Sequence, residues 1–133
     1  MNPQAIAAQL ERARLFWVDF PADAQIQQPA AGPLRMQLET PSQFQAARIV
    51  NSLRSGDGDA VIAVVAPLVK SWENVTEEFL LGAGVGNAEP VDCHPRLVAI
   101  VLADRPEWVT VVALKAAEAA HAARTKVAIA QGN

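Results

Sequence analysis

The chain is short of the groups from which metal and redox sites are usually built. Cys93 stands alone, and His94 and His121 are the two histidines among 133 residues. A single thiol excludes an intramolecular disulfide framework and any multi-cysteine zinc site, and it fits a reducing compartment. Positive charge is also sparse: eleven Lys and Arg stand singly against fourteen Asp and Glu, for a net charge of −3. Affinity for phosphate backbones comes from clustered positive charge, so no nucleic-acid partner is expected. An anionic membrane surface is disfavoured on the same ground. The longest apolar run, 60–69, has half of the roughly 20 residues that span a bilayer. No basic segment leads into an apolar stretch near Met1. The expectation is a soluble, cytoplasmic protein.

What the chain does have is apolar mass. About half of the residues are hydrophobic, at 51%, and the length suits one core of about 100 to 150 residues. A single domain over 1–133 is expected. Its first part, about 1–40, reads as a short helix followed by β-strands, and about 41–131 reads as helical. Asn2 before Pro3 forms an N-cap with proline in the first turn, and Ile6, Leu10 and Ala13 recur at helical spacing to about Arg14. "LFWVDF" from Leu15 to Phe20 then alternates with period two. Leu34, Met36 and Leu38 alternate in the same way, so two antiparallel strands are expected, with 25–28 as an extra edge.

Beyond Glu39 the period changes. "TPSQ", 40–43, has the form of a capping box and predicts a helix from about Pro41 to Arg54, with Ala46, Ile49, Val50 and Leu53 as its apolar stripe. "SGDGD", 55–59, stops it. Asp59 then caps "AVIAVVAPLVKSW", a helix apolar nearly all round, in which Pro67 predicts a kink or break near Ala66. Asp92 is expected to cap a short helix through Leu102. "DRPE", 104–107, opens the last helix, on which Trp108, Val112, Ala116, Ala119, Ala120, Ala123 and Val127 share a face. That seam of small residues either packs within the chain or accepts a partner helix. The architecture is α+β, predominantly helical, with a small N-terminal antiparallel β unit and a helical C-terminal half.

Three stretches invite chemical readings. Gly82, Gly84 and Gly86 make GxGxG, but a dinucleotide fingerprint needs its third glycine where Asn87 sits, and a helix directly after. A turn or connector is expected instead. Cys93 and His94 suggest a thiolate and imidazole pair, yet sequence neighbours point about 100° apart on a helix and oppositely on a strand. His121 lies three residues after Glu118, a solvated or ion-paired position. No catalytic residue, metal site or cofactor is expected, and the chain is read as a non-enzyme. Trp72 either anchors core packing, with its N–H on a loop carbonyl, or stands exposed as a partner anchor.

From Asp59 onward the chain resembles the phage tail assembly chaperones, which accompany the tape-measure protein. The resemblance lies in "VVAPLVKSWENV" (64–75) with its W-x-x-V element at Trp72 and Val75. It continues through the acidic, glycine-containing "EEFLLGAGVGNAEP" (77–90), "RLVAIVLADRPE" (96–107) and "LKAAEAAHAA" (114–123). "DCHP" stands where such proteins more often open the next helix with Ser or Thr after an aromatic. The resemblance implies a non-enzymatic chaperone that binds the tape-measure protein, or other tail proteins, in the bacterial host cytoplasm during tail morphogenesis. It implies partner-binding residues Trp72, Val75, Trp108 and Val112, and it is compatible with a homo-oligomer. The alternatives are a structural tail or connector subunit retained in the virion, and a small Cys/His enzyme.

Overall fold

The computed structural model describes residues 2–20, 32–82 and 84–132, with side chains to Thr125. The order of elements is α1 (Pro3–Ala13), β1 (Leu15–Asp19), β2 (Arg35–Glu39), α2 (Gln43–Ser55), α3 (Gly58–Val65), a 3-10 turn (Ala66–Leu68), β3 (Val69–Glu73), α4 (Glu77–Leu81), α5 (Pro95–Asp104) and α6 (Pro106–Gly132). The architecture is α+β and mostly helical. The segment 25–28, expected as an extra strand edge, lies outside the described residues.

The two alternating segments pair as their period requires. β1 and β2 run antiparallel, with Phe16 opposite Leu38 and Val18 opposite Met36. Because side chains alternate between faces, Val18, Met36 and Leu38 are buried on one side while Trp17, Arg35 and Gln37 occupy the other. The third strand is β3, which pairs antiparallel with β2 and gives the order β1-β2-β3. This corrects the expectation that the apolar helix would continue through Trp72. Pro67 does break that helix at Ala66, but the chain leaves it through a single 3-10 turn and extends as "VKSWE". The β-branched Val69 and the aromatic Trp72 suit a strand with one buried face. A register irregularity opposite Gln37 and Leu38 leaves Lys70 as the extra residue, so that Val69 and Trp72 are both buried.

Three expected caps move by two residues each. The box on α2 is formed by Ser42 and Gln45: the Ser42 hydroxyl accepts from the Gln45 N–H, and the Gln45 side chain accepts from the Ser42 N–H. Thr40, expected as the cap, instead donates both its N–H and its hydroxyl to the carbonyl of Arg14, at 2.7 and 2.8 Å. On α3 the cap is Asp57 rather than Asp59, and on α5 it is His94 rather than Asp92. In each case another polar residue nearby reaches the orphan N–H groups of the first turn.

Helices α2, α3, α5 and α6 gather on the inner side of the sheet and share its core. That core joins Val18, Met36, Leu38 and Trp72 of the sheet to Ile49, Val65, Val98, Leu102 and Trp108 of the helices. On α6 the small-residue seam is used within the chain: Val112, Ala113, Ala116 and Ala120 are all buried, while Ala123 is exposed. The small side chains let α2 and α3 approach closely, and Gln43 donates to the carbonyl of Ala120 at 3.0 Å. Helix α1 is different, because none of its residues is buried.

Candidate functional site

The four residues expected to meet a partner are core residues. Trp72 is 7% exposed, Val75 1%, Trp108 1% and Val112 0%. With this burial, a partner resting on the folded chain meets other atoms first. For Trp72 the core reading fits, since its indole N–H donates to the carbonyl of Val91 at 2.7 Å. A buried indole usually finds such a partner, because an unpaired N–H carries a desolvation cost.

These residues do, however, build what lies above them. Trp108 stacks on Phe79 of α4 with ring centroids 5.7 Å apart, and meets Phe20 at 5.3 Å. The guanidinium of Arg105 lies over the Trp108 ring at 5.1 Å and over Phe79 at 5.7 Å. Val75 accepts a backbone bond from Val91 through its carbonyl. Trp72 and Val75 thus hold Val91, and Trp108 holds Phe79 and with it α4.

Between the elements so held, α4 and α5 leave an open groove of about 400 Å³, lined by Leu80, Leu81, Val91, Leu97 and Ile100. Leu81 is 59% exposed and Ile100 51% exposed, so the apolar lining faces water. Glu77, Asp104 and Arg105 add charge to the lining. Among the described residues Glu77 and Asp104 make no ion pair, while Arg105 is turned onto the aromatic rings.

The segment from Gly84 to His94 leads into α5 and contributes Val91 to the groove lining. It is the expected connector, and its glycines have distinct tasks. Gly84 adopts a φ of +81°, in the left-handed region that favours glycine. At Gly86 the backbone comes so close to α4 that a Cβ would stand 2.8 Å from the Glu77 carbonyl carbon. The approach is secured by backbone bonds from Glu78 N–H to Asn87 O, 2.9 Å, and from Glu77 N–H to Glu89 O, 3.2 Å.

The remaining chemical candidates are dispersed. Burial pushes the Cys93 thiol up from its ordinary value, which lowers its thiolate fraction near neutrality. His94 spends Nδ1 on the N–H of Arg96 as the α5 cap. His121 is exposed on α6, where Glu118 pairs with Lys115 at 3.5 Å instead. No group of three or more His, Cys, Asp or Glu side chains among the described residues is placed to hold a metal ion. No helix among them is long and apolar enough to cross a membrane.

Sequence reasoning missed α4 and the groove. Thr76, followed by Glu77 and Glu78, is a helix-start signal, and its hydroxyl accepts from the Phe79 N–H at 3.2 Å. It was masked by the glycines that follow. Leu97 and Ile100 were legible as apolar, but not as the outer side of a helix whose inner side carries Val98, Val101 and Leu102. No family model, no curated protein and no solved structure matches this chain.

Proposed function

We propose that the chain is a non-enzymatic binding protein of the phage tail assembly chaperone kind, which holds a helical segment of the tape-measure protein during tail morphogenesis. The observation that supports this reading is the α4–α5 groove, whose leucine and isoleucine side chains remain open to water. An amphipathic helix laid into such a groove buries its apolar face, and each aliphatic side chain covered contributes about 1.5–3 kcal/mol when burial is complete. A few contacts of that size give binding that holds an aggregation-prone chain and still releases it. Trp72, Val75 and Trp108 act here from beneath, by fixing Val91 and α4. The net negative charge helps to keep such a complex soluble.

The test is coexpression with a helical tape-measure fragment, reading the soluble fraction and the affinity of the complex. Ile100→Asp and Leu81→Asp each put a charge on the groove lining without touching the core, and each is expected to lower affinity by at least about tenfold. Both variants binding as tightly as the parent would overturn the reading. Purified particles that retain the protein at ring-like stoichiometry would favour a virion subunit in its place.

A further inference from the structure

We infer that helix α1 of one copy of this chain docks in the α4–α5 groove of a second copy. The inference rests on the reading of that groove as a helix acceptor. The first observation is α1 itself. It is a well-formed helix of eleven residues, capped by the Asn2 side chain on the Gln4 N–H, and it buries no residue. Ile6 is 39% exposed and Leu10 60% exposed, and they lie four residues apart on one face. Helices shorter than about 12–15 residues are marginal in water unless an apolar face is packed. Nothing described in the monomer supplies that packing.

The second observation is charge. The C-terminal part of α1 and its cap carry Glu11, Arg12 and Arg14, a net positive set, and among the described residues neither arginine forms an ion pair. Glu11 and Arg12 also line a shallow cleft beside Leu15, Glu39 and Lys70 at the root of the helix. The groove carries Glu77 and Asp104 unpaired, with its one cation, Arg105, committed to the rings of Phe79 and Trp108. An apolar stripe ending in positive charge thus fits an apolar trough lined with negative charge. This amphipathic helix, neutral over Pro3–Ala13 with Arg14 at its cap, exists in every copy, so the second copy is the occupant that the molecule itself provides. The surface of so short a helix falls below the roughly 1,200 Å² of standard interfaces, which makes the association weak and reversible.

Helix and groove are different surfaces, so the contact is heterologous. This gives a decisive experiment: sedimentation of the full chain over a wide concentration range, with Leu10→Asp and Ile100→Asp. The parent is expected to self-associate. Leu10→Asp spoils the helix and keeps the groove, Ile100→Asp does the reverse, and each alone should lose at least about tenfold in association. Mixed in equal amounts, the two variants should recover one complex, because each supplies what the other lacks. Since neither side chain belongs to the core, unchanged melting of the body is expected for both, with no more ellipticity lost than the undocked α1 accounts for. A parent that stays monomeric, a Leu10→Asp variant that associates as before, or a mixture that stays monomeric would overturn the inference. Capture of the tape-measure fragment separates this from the functional reading. Leu10→Asp retains an intact groove, so undiminished capture alongside a monomeric parent sinks the self-docking and leaves the chaperone reading standing.

Discussion

Around Trp108, the rings of Phe20 and Phe79 and the guanidinium of Arg105 close in, and the indole is 1% exposed. Around Trp17, on the outer face of the sheet, Arg35 covers one side of the ring at 4.5 Å and water reaches much of the rest. The outer face is held by charge: Arg35 pairs with Asp19 at 2.7 Å and with Glu73 at 3.4 Å, and Lys70 pairs with Glu39 at 3.5 Å. These are exposed pairs, and such pairs contribute little to stability. The same residue type is therefore structural in one place and nearly dispensable in the other. What separates them is whether neighbouring elements converge on the ring.

The sharpest test of this contrast is Trp108→Ala. Removing the largest of the fully buried side chains should cost about 3–5 kcal/mol, read from denaturant unfolding. Because Phe79 loses its stacking partner, the groove should weaken as well. A loss below about 1 kcal/mol would erase the distinction between the two regions. Trp72→Phe comes next. It keeps an aromatic ring in the core but leaves the Val91 carbonyl without its donor, at a cost of about 1–3 kcal/mol. Trp17→Ala should be the mildest, at no more than about 1 kcal/mol, the scale of an ordinary surface substitution. A larger loss would mean that the outer face packs against more than one guanidinium.

Period-two and period-3.6 patterning made β1, β2, α1, α2 and the apolar character of α3 legible, because each of these elements buries one face or is opened or closed by proline or glycine. The third strand was hidden for a physical reason. "VVAPLV" supports a buried helix as well as a buried strand, and what decides is β2, which offers a free edge and pairs Met36 with Trp72. The Asn2 cap was legible in place, and three others in kind but not in position: Ser42, Asp57 and His94 each stand within two residues of the expected residue. The groove was the least legible feature. It depends on Gly86 passing within reach of Glu77 and on Trp72 holding Val91, both contacts between residues far enough apart in sequence that no local pattern encodes them. Trp72 and Trp108 were visible as important residues, and their burial turns that importance from contact into support.

The pair of hydrogen bonds from Thr40 to the carbonyl of Arg14 has a mechanical consequence. It fastens the root of α1 to the residue that follows β2, two positions before the Ser42 cap of α2. Such a joint behaves as a lever and not as a loose tether, so a load pulling on α1 is delivered to the central strand and to the first turn of the next helix, and the angle at which α1 leaves the body is set by the sheet.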